Sequence, residues 1–126
     1  MKRSIDAIEH AGEIMKKVND AVLLTTKKDG QVNTMTISWG GMAIEWGKPL
    51  FITYVRESRF TKEFLDATGE FTVNLPMGEF DKKITAVCGA KSGRDLDKIA
   101  ELGLTLEEPE EVNVPGIREL PLTLEC

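Results

Sequence analysis

Three stretches of this chain bring together side chains that could do chemistry on a ligand. The first is Val32–Gly40, where Asn33, Thr34, Thr36 and Ser38 run along a segment with strand-like alternation that ends in Trp39 beside Gly40-Gly41. Threonine is a good strand former, so hydroxyls on an exposed sheet face account for part of this pattern. The ending supports a second reading. A tryptophan beside paired glycines offers an aromatic face where backbone can approach a planar ligand closely. Such a ring needs donors along its polar edge and apolar cover on the other, and the hydroxyls, the free amides and Met35 could supply both.

The second stretch, Val55-Arg56-Glu57-Ser58-Arg59-Phe60-Thr61-Lys62, joins a strand to a helix. Helix N-termini collect anions through unpaired N–H groups and the macrodipole. Ser58 and Thr61 add hydroxyl donors, and Arg56 and Arg59 add positive charge. A phosphate cradle and a capped helix with two solvated arginines are both open here. The third stretch, Cys88–Lys98, sets Lys91 among small residues from which its side chain could reach a phosphate or a ring edge. It also reads plainly as a loop leading into a capped helix. Asp95 and Asp97, two apart on a helix, turn away from each other and exclude a paired-carboxylate mechanism.

These segments need a scaffold. Ile5, Ile8, Ala11, Met15 and Val18 fall at helical spacing behind Ser4, which predicts a capped helix over Ile5–Val18. Val22–Thr26, the Asp29-Gly30 turn and Gln31–Trp39 predict a β-hairpin. A loop through Gly40-Gly41 and Trp46–Pro49 precedes a strand at Leu50–Val55. Ser58 then caps a helix over Arg59–Ala67 that stops at Gly69. Phe71–Leu75 reads as a strand, Glu79–Val87 as a helix, Gly89–Gly93 as a small-residue loop and Arg94–Leu102 as a short helix. Leu120–Cys126 reads as a strand. The expected fold class is mainly β with inserted helices, a small barrel rather than a βαβ sheet.

Composition narrows the function. The 126 residues, 41% hydrophobic and 29% charged, have the size and make-up of a single globular domain spanning 1–126. A net charge of −5, with the basic doublets set beside acidic residues, argues against nucleic acid as a partner. Cys88 and Cys126 form no CxxC and predict neither a disulfide framework nor a metal cluster. The single histidine, His10, is expected on a surface helix, so no catalytic base and no catalytic side chain is assigned. The start Met1-Lys2-Arg3-Ser4 leads into no signal-peptide core, and no apolar run could span a bilayer. A cytoplasmic setting without membrane contact is the expectation.

Five motifs in order resemble the flavin reductase-like family with the FMN-binding split barrel: Asn-x-Met-Thr-x-Ser-Trp at Asn33–Trp39, Val-Arg-x-Ser-Arg-Phe-Thr at Val55–Thr61, Gly-Glu-Phe-Thr-Val-Asn-Leu-Pro at Gly69–Pro76, Ser-Gly-Arg-Asp-x-Asp-Lys at Ser92–Lys98, and Leu-Glu-Cys at Leu124–Cys126. The resemblance implies a homodimer holding FMN near the subunit interface. It implies that Asn33, Met35, Thr36, Ser38 and Trp39 flank the isoalloxazine and ribityl chain, with Trp39 the aromatic neighbour of the ring. Val55, Arg56, Ser58, Arg59 and Thr61 would hold the phosphate, with Lys91 adding charge. Family members usually continue past the Leu-Glu-Cys segment with further strands, so the barrel is expected to be incomplete at the C-terminus.

The implied function is an FMN-dependent oxidoreductase in which the flavin carries the redox chemistry and the protein binds and orients it. Its electrons would come from NADH or NADPH, or pass to and from a redox partner protein as in flavoredoxin. No Rossmann glycine pattern separates these versions. A non-catalytic split-barrel module without flavin is the alternative from a different class.

Overall fold

The computed structural model describes residues 2–126. Its centre is an antiparallel four-stranded sheet built from β1 (Val22–Lys28), β2 (Gln31–Ile37), β5 (Thr72–Leu75) and β8 (Leu122–Glu125), in the order β2-β1-β5-β8. A second ribbon pairs β3 (Gly40–Glu45) with β4 (Lys48–Thr53), and a short one pairs β6 (Leu106–Glu107) with β7 (Gly116–Ile117). Helices α1 (Ala11–Asp20), α2 (Phe60–Thr68), α3 (Lys83–Ala90) and α4 (Lys98–Glu101) are inserted between the strands. The fold is mainly β with helices, as expected, and the sheets do not close into a barrel.

The first hairpin follows from its turn. Asp29 and Gly30 both take positive φ, 49° and 79°, in a two-residue connection between Lys28 and Gln31. That twist matches the strands and sets the register from Val22↔Ile37 outward. The same device builds a hairpin where the sequence reads as a loop. Trp46 and Gly47 have φ of 53° and 72°, and the chain doubles back to pair Gly40–Glu45 with Lys48–Thr53. Pro49 is tolerated because this ribbon is only two strands wide.

Local side-chain caps explain the shifted helices. The first helix begins at Ala11 rather than Ile5, because the Asp6 carboxylate accepts the Ile8 N–H at 2.9 Å and diverts the preceding turn. Ser4 therefore caps nothing. Asp81 similarly takes the Lys83 N–H at 2.9 Å, so α3 starts there and runs through Gly89 and Ala90. The stretch expected as one helix over Arg94–Leu102 is split. Ser92 Oγ accepts from the Arg94 N–H and Asp97 caps α4 through the Ala100 N–H. Gly69 ends α2 in the left-handed conformation, φ 70°, as its type predicts.

The sheet buries apolar residues on both faces. Val22, Leu24, Ile37, Val73 and Leu75 pack with Ile14 and Val18 of α1. Leu23 packs on the other side with Ile84 and Cys88 of α3, Leu104, Ile117 and Leu120. That second face also holds a polar chain. Asn74 Nδ2 donates to Thr25 Oγ1 (3.0 Å) and Thr72 Oγ1 (3.1 Å), while Oδ1 accepts from Ile117 N (3.0 Å) and Thr123 Oγ1 (2.8 Å). Thr25 bonds onward to Thr34 Oγ1, which donates to Leu24 O. Lys2 Nζ feeds the far end by donating to Thr123 Oγ1 at 2.7 Å. Every polar valence of the Asn74 amide is used.

Among the described residues, no helix is long and apolar enough to cross a membrane. Asn74→Ala should lower stability by about 3 kcal/mol in urea unfolding, because it orphans the buried Ile117 N–H and removes a bond from each of Thr25, Thr72 and Thr123. A loss under about 1 kcal/mol would mean that water satisfies these groups instead.

Candidate functional site

Asn33 on β2 and Thr61 in the first turn of α2 meet in the interior. Asn33 Nδ2 donates to Thr61 Oγ1 at 2.9 Å, and both residues are buried. The Thr61 oxygen accepts here, which leaves its own proton for another partner. Gly93 closes over the pair. A Cβ at Gly93 would stand 2.0 Å from Asn33 Oδ1 and 2.9 Å from the Phe60 ring. The glycine is required by close approach.

The N-terminus of α2 has no side-chain cap. Arg59 occupies the N-cap position in extended conformation, and Ser58, expected as the cap, instead offers its carbonyl to Arg94 Nη1 at 3.2 Å. The helix starts one residue beyond the reach of the Ser58 hydroxyl. The Lys62 N–H donates to the Arg59 carbonyl at 3.0 Å, and no side chain caps this positive end of the helix dipole.

The cations around this end are unevenly paired. Arg94 binds Glu63 and lies over the Phe60 ring, 5.1 Å from its centroid. Arg56 stacks over Trp39 at 5.5 Å, with the indole 57% exposed. No carboxylate lies within 4 Å of Arg56, Arg59, Lys91 or Lys98 among the described residues. Lys98 is 4% exposed, and its ammonium donates to Thr34 O (2.8 Å) and Cys88 O (2.9 Å). Burial pushes the Lys98 ammonium down from the usual lysine range. The neighbouring Cys88 offsets this in part, and the Arg59 charge adds to it. Burial raises the Cys88 thiol to about 11, and burial with the Glu125 charge does the same for Cys126. Neither is a ready nucleophile at neutral pH.

The structure therefore groups Asn33 with Thr61 at the start of α2 and stacks Arg56 over Trp39, while other expected residues take separate positions. Met35 and Val55 pack against the first core instead of lining a pocket. Thr36 serves the opposite face, where its hydroxyl donates to Thr85 O and its Cβ lies against Gly89. Ser38 and Trp39 lie beyond the end of β2, and Lys91 is exposed just past α3. The cause is the two-residue period of a strand, which sends Asn33 and Thr34 to opposite faces. Gly93, Arg94 and Lys98 fall in the Ser92–Lys98 motif, but the sequence assigns them no site role. A lysine opening a short helix reads as solvated, and only the return of the chain to β2 buries it.

Gly93→Ala should push Asn33 off Thr61 and lower stability by about 1–3 kcal/mol, measured by chemical denaturation. An unchanged midpoint would mean that the 92–98 turn is free to move away.

Known proteins share this fold. The profile of the "Flavin reductase like domain" matches residues 16–126. An uncharacterised protein of Archaeoglobus fulgidus is 34% identical over 94 residues, 75% of this chain and 52% of the relative. Flavoredoxin of Desulfovibrio vulgaris superposes with a TM-score of 0.73 at 27% identity, over 83% of this chain and 57% of that one. Flavoredoxin from Methanosarcina acetivorans gives 0.72 at 31% identity, over 84% and 55%. The chain thus spans little more than half the length of these relatives. Its sequence and fold together place it in the flavin reductase-like family.

Proposed function

We propose that this chain is an FMN-binding flavoprotein oxidoreductase that holds the FMN phosphate at the N-terminus of α2. The observation behind this reading is the uncapped helix end, where Thr61 is braced by Asn33 and Arg56 and Arg59 have no carboxylate partner. A dianionic phosphate suits that donor set. It would accept from the first-turn N–H groups, the Thr61 hydroxyl and the Arg59 guanidinium. Family membership and the likeness to two flavoredoxins support FMN over other phosphorylated ligands. Arg56 and Lys91 are long and exposed, and would add charge if they swing toward the phosphate.

The ring would lie toward the far end of β2, where Ser38 and Trp39 offer a hydroxyl and an exposed indole. When bound, the flavin supplies hydride and one-electron chemistry. The side chains bind and orient it, and backbone donors near its polar edge would favour the reduced, anionic ring. We take NADH or NADPH as the electron donor and a redox protein as the second source to be tested.

A homodimer is part of the same proposal. The β3–β4 ribbon exposes Ile44, Trp46 and Ile52, with Tyr54 just beyond it, and a two-stranded ribbon is marginal without cover. Sedimentation equilibrium should give twice the chain mass, and Ile52→Glu should shift it to the monomer. A wild-type monomer at micromolar concentration would overturn the assignment.

The function is tested by titrating the purified protein with FMN under anaerobic conditions, then adding NADH or NADPH. Binding should perturb the blue and near-ultraviolet flavin bands, and bleaching by one nucleotide would identify the donor. Arg59→Ala and Thr61→Ala should each weaken FMN by about tenfold. Protein that never acquires a flavin spectrum would sink the reading, and unchanged affinity in both variants would move the phosphate elsewhere.

A further inference from the structure

Lys98 is a costly residue to bury. Its ammonium is held by two neutral carbonyl oxygens and has no carboxylate within 4 Å among the described residues. A methionine of similar length would fill the same space without desolvating a charge. The ammonium is therefore explained by what it does to its neighbours.

Its two acceptors lie on different elements. Thr34 O belongs to β2, an outer strand of the sheet, next in sequence to Asn33. Cys88 O lies in the last turn of α3, where helix carbonyls attract a cation, and Gly89 beside it presses on Thr36. One side chain thus clamps β2 to α3 from α4. It does so beside the Asn33–Thr61 pair, and it lines a cavity of about 440 Å³ with Asn33, Thr34, Gly93, Arg94 and Asp97. Of the carboxylates there, Asp97 already accepts the Ala100 N–H, while Asp95 stands exposed. An ammonium carries three N–H groups, and two are used.

We propose that Lys98 is a positioning residue of the phosphate site, fixing the β2 edge beside Asn33 and so holding Asn33 against Thr61. This rests on the reading of that helix end as the FMN phosphate site. Lys98 does not touch the ligand. It acts through the strand that carries Asn33, whose amide braces the Thr61 hydroxyl.

The test compares FMN with riboflavin, which lacks the phosphate, in the full chain and in Lys98→Met. The variant should keep its circular dichroism spectrum, bind FMN about tenfold more weakly and bind riboflavin within about threefold of the unmutated chain. Equal weakening of both ligands would reduce Lys98 to scaffold, and no weakening of either would remove it from the site. Both results overturn the proposal while leaving FMN binding intact. An unmutated chain that binds no FMN overturns the functional reading itself.

If Lys98→Met does not fold, the side-chain 15Nζ resonance of Lys98 in the unmutated protein replaces it. That resonance should move on adding FMN and stay in place on adding riboflavin. Movement with both or with neither overturns the proposal.

Discussion

A buried amide organises this fold. Asn74 sits at the centre of the sheet with no solvent, so each of its hydrogen-bonding sites must find protein. Its donors go to Thr25 on β1 and to Thr72 on its own strand, and its acceptor oxygen takes Ile117 N from β7 and Thr123 from β8. The geometry leaves one consistent proton direction. Asn74 donates to Thr25, Thr25 to Thr34, and Thr34 to the Leu24 carbonyl. These bonds reinforce the register that apolar alternation already favours, because one residue of slip turns each threonine to the other side.

That fixed register reaches the site. Thr34 is the last hydroxyl of the chain and stands beside Asn33, so the network that aligns β2 also decides that Asn33 faces Thr61. The outer side of β2 has no neighbouring strand, and an open edge invites pairing with other chains. Here it is covered by side-chain bonds instead. Lys98 holds Thr34 O, Thr36 holds Thr85 O, and Gly89 and Gly93 let α3 and the following turn approach closely.

Polar and charged groups are divided by role. Those facing the sheet interior are fully partnered, and no buried side-chain nitrogen or oxygen among the described residues lacks a partner. Near the α2 N-terminus, where Glu57 and Glu63 also lie, Arg56 and Arg59 have no carboxylate within 4 Å among the described residues. A surface where Lys62 binds Asp66 and Arg94 binds Glu63, yet Arg56 and Arg59 are left without carboxylates, is asymmetric in a way that stability does not require.

The sequence by itself determined the parts governed by local chemistry. The Asp29-Gly30 turn, the Gly69 stop, the strands at β1, β2, β5 and β8 and the strand-to-helix step before Thr61 follow from residue type and spacing. The order of five motifs pointed to the family. Where neighbours compete, sequence misled. Asp6, Asp81 and Ser92 captured backbone N–H groups and moved three helix starts, and Trp46-Gly47 made a hairpin from an expected loop. Tertiary structure alone decided which polar residues work together. Asn33 and Thr61 are 28 positions apart, and Lys98 reaches Thr34 across 64. Burial, which turns a surface lysine into a clamp and a threonine ladder into a directed network, depends on which elements meet. No spacing along the chain encodes that.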